Sequence, residues 1–132
     1  MSLFYTIIRQ TETGGKDGEN YIYYARACER RKVNIDQLAA ILEHRTSLTR
    51  SDIIGVITGL SDLVPELLMD NKTVELGELG TFSLHMLSKG VSSPEEAGYR
   101  QIKDLRIQFR TGVHLKKAIG RVSFIKSEKS LY

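Results

Sequence analysis

The chain has one cysteine, no tryptophan and two prolines among 132 residues, and each scarcity excludes something. Cys28 cannot close an internal disulfide, so the fold must rest on apolar burial, and a reducing compartment is expected. Arg26, Arg30 and Arg31 surround Cys28 with a basic patch, but no histidine is placed to activate it, and an inert thiol is expected. No apolar run approaches the roughly 18 residues needed to cross a bilayer. Met1 to Gln10 also lacks a basic stretch leading into an apolar one, so the expectation is a cytoplasmic protein with no membrane partner. His44, His85 and His114 lie far apart, with neither a His-Glu-x-x-His nor a paired-cysteine spacing, so no metal or cofactor is expected. The phosphate-loop pattern is missing too, and the Gly14-Gly15 pair sits in a polar stretch with no helix signature after it. With no set of catalytic groups, neither enzymatic activity nor a small-molecule substrate is expected.

A hydrophobic content of 41% and a mean hydropathy of -0.23 describe a soluble globular protein. The length suits one domain, residues 1–132, of a size that often completes its core by dimerising. The net charge of +3 conceals an asymmetry. Residues 1–99 hold 10 basic against 14 acidic residues, whereas residues 100–126 hold 8 basic residues against Asp104 alone. Such a concentration is the footprint of a protein that meets a polyanion. The alternative is a solvated face balanced in space by acidic helices.

Leu3 to Arg9 is rich in aromatic and β-branched residues and reads as a strand; Gln10 to Asn20 is polar and reads as a loop. Tyr21 to Cys28 reads as a second strand, with a helix over Ala25 to Lys32 as its competitor. Tyr21, Tyr23 and Tyr24 suit either base stacking or packing. Asn34 caps a first helix, with Gln37 completing a capping box, and Thr49 caps a second with Asp52 in the matching place. Ile35, Leu38, Ile41 and Leu42 form one apolar stripe on the first helix. The second carries Ile53, Ile54, Val56, Ile57, Leu60, Leu63, Val64, Leu67 and Leu68, too many for a narrow stripe, which predicts burial on two sides. Pro65 removes a backbone donor, so that helix either bends there or has a separate last turn.

Thr73 to Leu76 alternates into a Gly-x-x-Gly turn, and Thr81 to Leu87 alternates again. Leu105, Ile107 and Phe109 alternate with Arg106, Gln108 and Arg110, which predicts an apolar face packed on the helices and a polar face carrying both arginines. Phe82 and Phe109 are expected in the core. Gly120 ends a short basic helix, and Arg121 to Lys126 alternates like a strand. The strands at the two ends are expected to share one sheet, because unpaired edges are costly.

The segment Gly77-Glu78-Leu79-Gly80-Thr81-Phe82, followed by Phe109-Arg110-Thr111-Gly112 and then Leu115-Lys116-Lys117-Ala118, resembles the HU/IHF family of bacterial histone-like DNA-binding proteins. That family has a Gly-x-Gly-Thr-Phe turn before a β-arm and a Phe-Lys-x-Gly segment after it. The resemblance covers about Asn34 to Ile119 and looks like an extended branch with added terminal strands. It implies two helices packed under an antiparallel sheet with a β-arm, a short C-terminal helix and an interlocked homodimer. On this reading 1–33 is a strand extension, 34–119 the HU-like core, and 120–132 a last strand and tail. The partner implied is double-stranded DNA in the nucleoid, held with little sequence preference. The basic residues that fit such contacts are Lys89, Arg100, Lys103, Arg106, Arg110, Lys116, Lys117 and Arg121.

The arm departs from the family pattern. Ser88 to Tyr99 holds one lysine, Lys89, and Pro94 is followed by Glu95 and Glu96. Two carboxylates beside a wedge oppose insertion between base pairs. The same residues fit a turn or a helix start capped by Ser93, so Pro94 is not expected to intercalate. An HU-fold interaction module with weak or lost DNA binding is therefore the competing reading.

Overall fold

The computed structural model describes residues 1–11 and 21–128. Its elements are β1 (Ser2–Thr11), β2 (Tyr21–Ala27), α1 (Ile35–Arg45), α2 (Arg50–Met69), β3 (Val74–Glu75), β4 (Gly80–Ser88), β5 (Ile102–Thr111), α3 (Val113–Ile119) and β6 (Ser123–Lys126), with a short 3-10 turn at Tyr99–Gln101. The order is mixed α+β, as the alternation and periodicity imply. Most of the expected Gln10 to Asn20 loop, including Gly14-Gly15, lies outside the described residues, as does the tail from residue 129. Gln10 and Thr11 belong to β1. The chain forms two compact units, Met1–Val33 with Ile119–Tyr132, and Asn34–Ala118.

In the first unit the strands lie in the order β2-β1-β6. β1 pairs antiparallel with β2 and parallel with β6, so strands from both ends of the chain do share a sheet. Ala25 and Ala27 stand opposite Ile7 and Tyr5, and the Cys28 N–H donates to the Phe4 carbonyl at 3.0 Å. That ladder decides the competition at Ala25 in favour of strand, because pairing with a neighbour outweighs intrinsic helix propensity.

In the second unit both capping boxes form: Asn34 with Gln37, and Thr49 with Asp52. The Glu43 carboxylate also accepts from the Arg50 N–H at 2.6 Å, placing negative charge at the start of α2, where the helix dipole favours it. The helix runs unbroken past Pro65 to Met69, so its last turn is not separate. It ends as a Schellman motif: Asn71 adopts a left-handed φ of 58° and the Lys72 N–H reaches the Leu67 carbonyl.

β3, β4 and β5 form an antiparallel sheet in that order. Phe82–Phe109, Leu84–Ile107 and Met86–Leu105 stand opposite one another on one face, with Thr81–Arg110, Ser83–Gln108 and His85–Arg106 on the other. The two faces are those that the alternation predicts. Their burial is not. α2 packs mainly on β4 and β3, and the apolar face is less covered toward β5. Ile107 is 59% exposed and Phe109 45% exposed, although Phe109 was expected in the core; Phe82 is half-buried. The two rings still meet, with centroids 4.8 Å apart. On α1 the fully buried residue is Ala39, while Ile35, Leu38 and Ile41 remain partly open. Within this unit the buried apolar side chains are Ala39, Ile53, Val64 and Leu68, a small core for so many apolar positions.

Candidate functional site

The basic residues are placed by the β4–β5 hairpin and the helix that follows it. At its base the hairpin is closed by glycine. Gly80 has a φ of 148°, and a Cβ there would run into the Arg110 carbonyl and the Phe109 ring. A Cβ on Gly112 would meet the Glu78 carbonyl. The bare backbone lets the Gly112 N–H donate to the Leu79 carbonyl at 2.9 Å. This bond ties the first sequence anchor to the second and fixes where α3 begins.

Arg106 and Arg110 project from the polar face, opposite His85 and Thr81. They stand four positions apart along the strand, about 13 Å at 3.3 to 3.4 Å per residue, far enough to meet separate phosphate-sized anions. Asp104 lies on the same face, and its carboxylate stands 3.9 Å from the Arg106 Nε, both side chains well exposed. Such a pair is weak, and it leaves Arg106 available to another anion. Among the described residues no carboxylate comes within ion-pair distance of Arg110, Lys103, Lys116 or Lys117.

Toward the arm the register shifts. Leu87 faces Asp104 but Ser88 faces Ile102, so Lys103 is the extra residue of a β-bulge, the kind of irregularity that re-aims a side chain. Beyond it the Lys89 N–H donates to the Gln101 carbonyl at 2.8 Å. Arg100 lies in the 3-10 turn, its guanidinium 6.0 Å from the Tyr99 ring centre. Pro94 heads a turn in which the Glu96 N–H donates to the Ser93 carbonyl and the Ala97 N–H to the Pro94 carbonyl. The segment is thus a turn, one of the two forms expected of it. Here the cap is the Ser93 backbone oxygen.

Seven of the eight basic candidates therefore belong to one hairpin and the helix that follows it: Lys89, Arg100 and Lys103 toward the arm, Arg106 and Arg110 along the sheet, and Lys116 and Lys117 on α3. Arg121 follows α3, within the other unit. His85 and Asp104 were not singled out from sequence, although the alternation of Asp104, Arg106, Gln108 and Arg110 already puts all four on one face. The bulge at Lys103 left no signal in residue type. Among the described residues no group of three or more metal-ligating side chains converges, and no helix is long and apolar enough to cross a membrane.

Two helices joined to a small antiparallel sheet, with a glycine-closed hairpin leading into a short basic helix, define an HU-like fold. The fold is similar to that of an Anabaena HU–DNA cocrystal structure, with a TM-score of 0.52 and 15% identity, over 67% of this chain and 99% of that one. It is also similar to a crystal structure of a Bacteroides vulgatus protein assigned as a bacterial DNA-binding protein, with a TM-score of 0.63 and 15% identity, over 99% of this chain. The chain spans about half the length of that second protein, 51%. No curated protein matches it. Residues 1–126 match the family described as an HU domain fused to wHTH, Ig, or glycine-rich motif, and the chain belongs to that family.

Proposed function

We infer that the protein is a histone-like DNA-binding protein that acts as a homodimer on duplex DNA, through phosphate contacts and with little sequence preference. The observation that carries this reading is the polar face of the hairpin, where Arg106 and Arg110 share one side of the sheet and α3 supplies Lys116 and Lys117 directly after it. Contacts of this kind position a protein on the backbone and read no base edges. Lys89, Arg100 and Lys103 extend the contact toward the arm; Arg121, which belongs to the other unit, is a separate candidate for phosphate contact. The HU-like structure solved with DNA supports the choice of partner. Cytoplasmic, nucleoid-associated protein is the setting that follows, with Asn34 to Ile119 as the DNA-binding core and the terminal strands as additions to it.

The homodimer is supported by the apolar surface that one chain leaves open. Val56 and Leu63 on α2 are 58% and 47% exposed. A cleft of about 390 Å³, lined by Ile57, Leu60, Val64, Phe82 and Ile107 among others, separates α2 from the sheet. Fully burying one such side chain stabilises by about 1.5 to 3 kcal/mol, so pairing two copies over this surface has a strong driving force.

The competing reading, an HU-fold interaction module, draws on Glu95 and Glu96 at the arm and on Asp104 beside Arg106. Duplex binding at two salt concentrations separates the two. Phosphate-driven binding loses affinity with a log-log slope of about -0.9 per phosphate neutralised. Absent or salt-insensitive binding would favour the interaction module.

A further inference from the structure

The sheet of the first unit has an aromatic face whose chemistry the duplex reading leaves unused. Strand alternation and register place Leu3, Tyr5, Ile7 and Arg9 of β1 on this face, beside Tyr21, Tyr23, Ala25 and Ala27 of β2 and Phe124 and Lys126 of β6. The opposite face holds the buried Thr6 but is open elsewhere, at Phe4, Tyr24 and Ile125. Beside the two alanines lies a trough of about 400 Å³ lined also by Leu3, Phe4, Tyr5, Arg26 and Phe124. Phe124 is 67% exposed. Farther along, the Arg9 guanidinium lies 4.6 Å from the Tyr21 ring centre, so a flat cation extends the row of flat apolar surfaces.

Charge narrows the choice of occupant. The strands β1, β2 and β6 carry Arg9, Arg26 and Lys126 and no carboxylate. By composition this unit holds nine basic against five acidic residues, whereas Asn34 to Ala118 holds ten against eleven. A surface of exposed rings set among cations suits a polymer that has flat apolar faces and an anionic backbone. A duplex hides its base faces in the stack and offers none to a sheet; a single strand exposes them.

We propose that the face of the β2-β1-β6 sheet that bears Tyr5 and Phe124 is a second nucleic-acid site, which stacks the bases of a single strand on Phe124 and Tyr5 and holds its phosphates with Arg9 and Lys126. The site does not depend on the duplex reading, since it uses none of the same residues.

The test is fluorescence anisotropy of the full chain with a labelled oligothymidylate of about 15 nucleotides, near the upper end of known single-strand site sizes, alongside a labelled duplex. Phe124→Leu keeps an apolar side chain but removes the ring. It is expected to weaken single-strand binding about fivefold or more, the low end of what one stacked base contributes, and to leave duplex binding unchanged. Arg9→Gln, at an exposed position, should weaken it as well, with circular dichroism confirming that both variants fold. The proposal is overturned if the unaltered protein does not bind the oligothymidylate, or if both variants bind it as well as the unaltered chain. It is equally overturned if Arg106→Glu with Arg110→Glu abolishes single-strand binding while Phe124→Leu does not, or if the sheet variants change sedimentation instead of binding, which would make this face a contact between copies.

Discussion

Gly112 donates its backbone N–H to the carbonyl of Leu79 at 2.9 Å, so the turn before β4 and the end of β5 are one structural unit. Gly80 sits inside that unit, where a side chain would strike the Arg110 carbonyl. Gly80→Ala should therefore cost about 2 kcal/mol or more, combining backbone strain with forced movement of the neighbouring strand. Gly77 has a left-handed φ of 55° but open space around it, so Gly77→Ala should cost only about 1 to 2 kcal/mol. Urea denaturation of the two variants checks the order, and equal midpoints would contradict it.

The second helix depends on its cap. Thr49 accepts from the Asp52 N–H at 3.2 Å, and Thr49→Ala should lower stability by about 1 kcal/mol. A thermal melt within error of the unaltered protein would show that the cap is dispensable.

The homodimer can be tested at one exposed position. Val56 is open in the single chain, so in a monomer Val56→Asp should change stability by no more than about 0.5 kcal/mol. In a dimer packed through α2 it buries a carboxylate and should dissociate the assembly. Sedimentation of the unaltered chain should give twice 14.9 kDa, falling to one chain mass in the variant. Ile57→Asp or Leu60→Asp, at residues lining the cleft beneath α2, should unfold the protein as well. A folded monomer at micromolar concentration would remove the dimer from the proposal.

Pro94 heads a closed turn that contains Glu95 and Glu96, and the Glu96 N–H donates to the Ser93 carbonyl. If this turn meets DNA from outside the groove, Pro94→Ala should leave the bend of a short duplex unchanged, read by energy transfer between its ends. A much smaller bend with binding retained would make Pro94 a wedge.

What could be read from sequence was local. Asn34 with Gln37 and Thr49 with Asp52 announce helix starts because the capping bonds span three residues, and both form. The two faces of the β4–β5 hairpin follow from strict alternation, and they too are as expected. Burial was harder to read, since whether Phe109 is covered depends on how far α2 reaches across the sheet, a matter of packing between distant segments. The bulge at Lys103 is a register property of two strands and leaves no mark on either one alone. The parallel pairing of β1 with β6 joins residues more than a hundred positions apart; the alternation predicts strands there, but not their direction.

The central claim is that the polar face of the hairpin grips the phosphate backbone, and reversing its charge tests it most directly. Arg106→Glu with Arg110→Glu should weaken duplex binding for all sequences alike and reduce the log-log salt slope by about 1 for each arginine, while the fold, read by circular dichroism, stays intact. Unchanged affinity and slope in a folded double variant would contradict the claim, leaving the basic residues of the hairpin as a solvated face and the protein as an HU-fold interaction module.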